Sequence, residues 1–206
     1  MLANDLAQAL DPVIFAREAL RFTPDPWQEK ALRWSGKRLL LNCSRQSGKS
    51  TTAAILALHR AIFYPSSLVL LVSPSLRHSS ELFRKVKEFL KALPAEQQPE
   101  LIEDNKLSLT MKNKSRIISL PGSEGTIRGF SGASLIIEDE AARVPDDLYF
   151  AVRPMLAVSG GRLILMSTPF GKRGHFFKEW TKGGGTWERI MITAHDCPRI
   201  TPEFLE

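Results

Sequence analysis

Apolar residues are distributed along this chain in two kinds of run. Short, nearly unbroken apolar segments occur at RLLLNC (38–43), SLVLLVS (67–73), SLIIED (134–139) and GRLILMST (161–168), the length and composition of strands buried on both faces, and a further strand fits TWERIMITA (186–194). Other segments repeat their apolar residues every three or four positions: STTAAILALHRAIF (50–63) and the stretch from Ser79 to Leu93 read as helices. Asp11-Pro12 and Asp25-Pro26 each place a capping acid ahead of a proline suited to a first helical turn, so two short helices precede the first strand, the second ending near Gly36. KLSLTMKNKSRIISL (106–120) alternates apolar and polar residues on either side of a Lys-Asn-Lys turn and reads as a hairpin. Short apolar strands separated by helices predict an α/β domain, a largely parallel sheet covered on both faces, with the hairpin as an antiparallel addition.

Composition narrows the class without changing this picture. At 206 residues, 43% hydrophobic and 24% charged, the chain is long enough for one substantial core and is neither disordered nor fibrous in type. The longest apolar runs are too short to span a bilayer, and the N-terminus has no basic region followed by a long apolar block, so a soluble intracellular protein is expected, with no membrane partner. Cys43 and Cys197 are the only cysteines; no disulfide framework is implied. The formal net charge of +6 is compatible with a polyanionic partner. Arg84, Lys85, Lys87 and Lys91 surround the apolar residues Leu82, Phe83, Val86 and Phe89, a run that reads as a solvated helix face.

The chemistry begins at LNCSRQSGKSTTAAI (41–55). A phosphate-binding loop has a glycine, four residues, then Gly-Lys-Ser/Thr; Gly48, Lys49 and Ser50 are in place, but Cys43 stands where the first glycine belongs. Such a loop works through successive backbone N–H groups, the positive end of the following helix, and a lysine that reaches the β and γ phosphates. The first glycine mainly lets the chain turn away from the strand. A small residue such as Cys43 is therefore tolerable if its backbone stays in an ordinary region. The strand before and the helix after supply the context that a bare Gly-Lys-Ser lacks.

A second constellation is LIIEDEAA (135–142). Phosphoryl transfer needs a magnesium ion between the β and γ phosphates, a carboxylate to hold it, and a residue that orients the attacking water. A hydrophobic strand ending in adjacent acids carries Asp139 and Glu140 to the carboxyl edge of the sheet, where folds of this kind bind ligands. Asp139, with Ser50, is the candidate for the metal and Glu140 for the water-activating base. Because Glu138 precedes them, three consecutive acids allow the register to shift by one.

These motifs, in this order, resemble the ATPase domain of the large terminase subunit, the DNA-packaging motor of tailed bacteriophages, and the resemblance covers nearly the whole chain. DPWQEKAL (25–32) resembles that family's adenine-contacting segment, with Gln28 as the adenine reader and Trp27 packing beside it. CSRQSGKST (43–51) resembles its deviant phosphate loop, in which the first glycine is often replaced and an Arg-Gln pair precedes the last glycine; Ser44, Arg45, Gln46, Ser47, Gly48, Lys49, Ser50 and Thr51 would then cradle the nucleotide, and Arg45 would sense or stabilise the γ-phosphate. TIRGFSGASLIIEDEAA (126–142) resembles the Arg-Gly segment leading into the magnesium strand, which implies that Arg128 acts as an arginine finger on a neighbouring subunit. LMSTP (165–169) resembles the coupling motif, with Ser167 and Thr168 reporting the state of the γ-phosphate.

The resemblance implies an ASCE, RecA-like P-loop NTPase that hydrolyses ATP with Mg2+ and drives double-stranded DNA into a viral procapsid, assembled as a homo-oligomeric ring with the portal protein and small terminase subunit in the host cell cytoplasm. Its domain plan would be N-terminal helices with the adenine segment (1–36), a P-loop core (37–194), and the start of a linker (195–206) to a C-terminal nuclease domain that this chain lacks, so a fragment without DNA cutting is expected. DNA contacts should be to phosphate and sequence-independent, through Lys112, Lys114 and Arg116 in the hairpin or through Lys172 and Arg173 after the coupling strand. A helicase-like superfamily 2 translocase lobe shares the phosphate loop, DEAA and STP, and is the alternative; a non-enzymatic nucleotide-binding module ranks third. His175 and His195 have no cysteine or carboxylate at metal-ligand spacing and read as structural or surface residues.

Overall fold

In a computed structural model of the chain, which describes residues 2–122, 129–198 and 200, eight strands form one sheet in the order β3-β4-β5-β2-β6-β7-β1-β8. The strands are β1 (Arg38–Cys43), β2 (Leu68–Ser73), β3 (Leu101–Asp104), β4 (Ser108–Met111), β5 (Arg116–Pro121), β6 (Leu135–Asp139), β7 (Arg162–Ser167) and β8 (Glu188–Ile192). Neighbours from β5 through β2, β6, β7 and β1 to β8 pair in parallel, whereas β4 is antiparallel to both β5 and β3.

The hairpin is therefore not a simple addition. Its second strand, β5, belongs to the parallel set and pairs with β2 from Leu68↔Arg116 to Ser73↔Pro121; only β4 and the unexpected strand β3 lie outside that set. β3 escapes the periodicity because its sequence, Leu-Ile-Glu-Asp, does not alternate and three of its four residues are exposed. One helix and one helical boundary also differ from the pattern. A helix α1 (Leu2–Leu10) precedes the two proline-started helices α2 (Pro12–Glu18) and α3 (Pro26–Arg33); Leu6 and Leu10 point outward, so it shows little of an inward apolar face. After α4 (Lys49–Phe63), α5 (Leu76–Ala92) begins three residues before Ser79, because the Ser75 hydroxyl caps it by accepting from the His78 N–H.

Each buried strand feeds two cores. Leu39 and Leu41 face the layer of α2 to α5, packing with Val69, Leu71, Ile137, Ile164 and Met166. Leu40 faces the opposite layer with Leu70, Val72, Ile136, Leu163 and Leu165, against Leu148 and Tyr149 of α6 (Asp146–Val152) and Phe176 of α7 (Gly174–Lys182). This two-residue alternation fixes the acid register at the end of β6. Ile137 and Asp139 share the face toward α4, while Ile136 and Glu138 share the other.

Candidate active site

The phosphate loop leaves the sheet after β1 and returns as α4. Cys43, the last residue of β1, is buried and still in ladder register with Ile192 of β8, and its backbone is not left-handed. A glycine is thus not required there. It is required at Gly48, which caps α4 at φ +94°. The Cys43 thiol is pushed up to about 12 by burial, which makes it inert rather than nucleophilic. Ser44 is held by its N–H donating to the Ile192 carbonyl at 2.8 Å, and Ser47 is fully buried, so the loop is braced by β8 while Arg45 and Gln46 project outward.

Gln28 supports the same loop from behind. It is fully buried; its Nε2 donates to the Thr52 hydroxyl at 3.1 Å and the Gly48 carbonyl at 3.3 Å, and its Oε1 accepts from the Asp25 N–H at 2.9 Å. Contact with a base would require some of these bonds to be exchanged. Trp27 beside it is buried in the core layer, with its indole N–H unpaired.

Three loop ends meet at Lys49. Its Nζ lies 2.8 Å from Glu140 Oε1 and donates to the Thr168 hydroxyl at 3.1 Å. Glu140 itself follows β6 in the left-handed region (φ +53°, ψ +40°), an uncommon conformation for a residue with a Cβ that is found where surroundings over-determine the backbone. Its N–H donates to Asp139 Oδ1 at 3.0 Å, and Arg143 Nε lies 3.7 Å from its second carboxylate oxygen. Ser167 at the end of β7 accepts from the Ala142 N–H at 3.1 Å and donates to the Thr168 carbonyl at 2.8 Å, which ties β7 to the turn that carries Glu140. Asp139 is almost fully buried, and its carboxyl is raised to about 6, chiefly by desolvation and against the attraction of Lys49. A buried acid with this bias is neutralised by a proton or a cation.

Two adjoining clefts flank Lys49. One, of about 400 Å3, is lined by Phe22, Gln28, Gln46, Ser50, Thr51 and Lys85; the other, of about 280 Å3, by Arg45, Gln46, His78, Glu140, Arg143 and Thr168. A larger cavity of about 610 Å3 opens at the opposite edge of the sheet around Lys37, Arg38 and Arg153, but it has neither the loop nor the acids. Asp139 at the end of β6 and the hydroxyl of Ser50 at the start of α4 are hard oxygen donors of the kind that would suit a magnesium ion. Among the described residues no three His, Cys, Asp or Glu side chains cluster as a self-sufficient metal cage.

A family model described as Terminase large subunit, T4likevirus-type, N-terminal, matches residues 40–199. The chain belongs to this family. The terminase large subunit of Thermus virus P23-45 is 29% identical over 188 residues, covering 81% of this chain and 38% of that protein; the chain thus spans well under half the length of this curated relative. Among solved structures, the Thermus phage P74-26 large terminase ATPase domain superposes with a TM-score of 0.76 at 22% identity, covering 91% of this chain and 88% of that one. The large terminase of a thermophilic bacteriophage, in complex with ADP, superposes with a TM-score of 0.65 at 13% identity, over 96% of this chain and 48% of that one. The fold is the mostly parallel P-loop, RecA-like sheet of terminase ATPase domains.

Several residues of this terminase chain that line or surround the site are not singled out by its motifs. Lys85 is not on a wholly solvated face: its ammonium donates to the Thr51 hydroxyl at 3.0 Å. Arg143 and His78 enter the cleft from the turn after β6 and the first turn of α5. None has a local signal, because each is brought in by how its element packs. His175, expected to be a structural or surface residue, is buried between two carboxylates: Nε2 donates to Glu138 at 2.6 Å and Nδ1 lies 3.2 Å from Asp146. Burial alone would lower this imidazole, but the bond and charge of Glu138, joined by Asp146, hold it above its ordinary range. Burial also raises Glu138. His195 is exposed. Arg128 lies outside the described residues. Lys172 and Arg173 follow β7 on the edge that carries Lys49, whereas Lys112, Lys114 and Arg116 sit at the start of β5, on the opposite edge, with Lys112 paired to Glu100 at 2.6 Å.

Proposed function

We propose that this chain is the ATP-hydrolysing part of a motor that moves double-stranded DNA into a viral procapsid. The observation that supports the reading most is the convergence of Lys49, Glu140 and Thr168 within 3.1 Å from three separate loops, beside a buried acid on the strand that carries Glu140. The loop N–H groups and Lys49 bind the ATP phosphates. Ser50 and Asp139 would hold magnesium, which would supply charge neutralisation for the phosphates. In hydrolysis the water oxygen bonds to the γ-phosphorus as the bond to the β–γ bridging oxygen breaks, leaving its electron pair on ADP. Glu140 takes the water's proton. For this, Lys49 exchanges Glu140 for phosphate, so the ion pair describes the nucleotide-free resting arrangement.

Arg45, exposed at the mouth of the cleft, contacts the γ-phosphate in cis, and Arg128 completes the charge stabilisation from a neighbouring subunit of a ring. Such a cation is worth on the order of a thousandfold in rate, so the isolated chain turns over slowly. Of the two basic groups, Lys172 and Arg173 are assigned to the DNA phosphates, since they adjoin Thr168. Portal protein and the small terminase subunit are the assembly partners, in the host cytoplasm.

The test is ATP turnover across a wide range of protein concentration, with Glu140→Ala and Arg128→Ala beside the parent. Turnover per chain should rise with concentration, and both substitutions should abolish it while nucleotide still binds. Concentration-independent activity with a silent Arg128→Ala would rule out the trans finger and favour a self-contained ATPase.

A further inference from the structure

Glu140 needs a holder that does not leave when phosphate arrives. In the resting site its carboxylate has two cationic neighbours, Lys49 on Oε1 at 2.8 Å and Arg143 on Oε2 at 3.7 Å. On the reading above, Lys49 moves its charge to the nucleotide, and Glu140, on a left-handed backbone that is not its own preference, would then be steered by Arg143. This arginine is well placed to do so. Its N–H closes the turn by donating to the Glu140 carbonyl at 2.8 Å, and its guanidinium stacks on the Phe170 ring at 4.0 Å. Phe170 lies two residues beyond Thr168, in the loop that follows the coupling strand. The ring has a second cation, Arg173, at 4.9 Å.

We propose that Arg143, braced on Phe170, is a positioning residue that keeps Glu140 aimed at the attacking water once Lys49 is engaged by phosphate. The loop after β7 thereby sets the hydrolysis rate through the orientation of the base. The aromatic brace matters because a planar guanidinium held against a ring loses less freedom in keeping a carboxylate in place than a free side chain does. It also gives the coupling strand a physical route to the chemistry. A shift of residues 168–173 moves Phe170, Phe170 moves Arg143, and a displacement of about 1 Å in a catalytic group costs on the order of a hundredfold in rate. The inference rests on Glu140 being the base.

The experiment measures steady-state ATP hydrolysis and the affinity for a fluorescent N-methylanthraniloyl ADP on the parent, Glu140→Ala, Arg143→Ala, Arg143→Lys, Phe170→Ala, Phe170→Tyr and the double variant Arg143→Ala/Phe170→Ala. Arg143→Ala is expected to lower kcat by about ten- to a hundredfold with KM and ADP affinity within about twofold of the parent. Phe170→Ala should lose a similar factor although the arginine is present, Phe170→Tyr should restore it, and Arg143→Lys should not, since it keeps the charge but not the planar stack. The double variant should be no worse than Arg143→Ala alone, because both act along one path. The inference is overturned if the alanine variants match the parent, if their losses multiply, or if the loss appears as a raised KM, which would make Arg143 a nucleotide contact. Full activity in Glu140→Ala would overturn the reading of the base and this inference with it.

Discussion

Replacing Asp139 by asparagine is expected to stabilise the nucleotide-free protein while abolishing its hydrolysis. The carboxyl is raised from 3.8 to about 6, mainly because burial disfavours its charge. A raised folded pKa means that the native state holds this proton more tightly than the unfolded chain. Stability is then undiminished below pH 3.8 and is lost as pH rises through about 6. Above that, the ionised group costs about 3 kcal/mol, from the two-unit shift at about 1.4 kcal/mol per unit. Asparagine keeps an oxygen to accept from the Glu140 N–H but carries no charge. Urea unfolding of parent and Asp139→Asn at pH 5, 6.5 and 8 should therefore show a gap that grows with pH toward about 3 kcal/mol, or about 1.5 M in midpoint at a slope of about 2 kcal/mol/M. Magnesium and ADP should stabilise the parent by about 2.7 kcal/mol at a hundredfold excess over Kd and the variant by far less. A variant less stable than the parent at pH 8, or a gap that ignores pH, would refute the argument that Asp139 is a buried charge awaiting a cation.

Other outcomes follow from the packing. His175→Ala leaves Glu138 fully buried without its one hydrogen bond and should cost about 3–5 kcal/mol near neutral pH; because burial raises the Glu138 carboxyl, the loss measured by urea unfolding should shrink as pH falls, and Glu138→Gln in the same chain should recover part of it. Cys43→Gly restores the general loop pattern yet removes a buried side chain from an extended strand position, so calorimetry should show a loss of about 1 kcal/mol with nucleotide affinity unchanged; a tenfold gain in affinity would show that the loop needs glycine there.

Much of this protein could be read from its sequence because the relevant forces are local. Unbroken apolar runs gave β1, β2, β6 and β7 their places, since a strand buried on both faces has no polar alternative, whereas β8, at the sheet edge, exposes Glu188 and Met191. Asp-Pro at 11–12 and 25–26 marked α2 and α3 because capping and proline geometry act within one turn. Gly48, Lys49 and the acids at 138–140 match the groups and spacing that phosphate chemistry demands, which is why the proposed site could be read from them.

What the sequence left open was decided by distance in space. Which of three adjacent acids faces the loop depended on which face of β6 meets α4, and packing put Asp139 there and turned Glu138 to His175. Whether the hairpin was an appendage depended on β5 finding β2, a pairing across more than forty residues that no local pattern encodes. Lys85, His78 and Arg143 became site residues only through the docking of α5 and the turn after β6, and Phe170 acquired a partner only because β7 ends beside β6. A side chain's type is written in the chain, but its neighbours are set by the free energy of burying whole elements, a sum over many residues that no single motif contains.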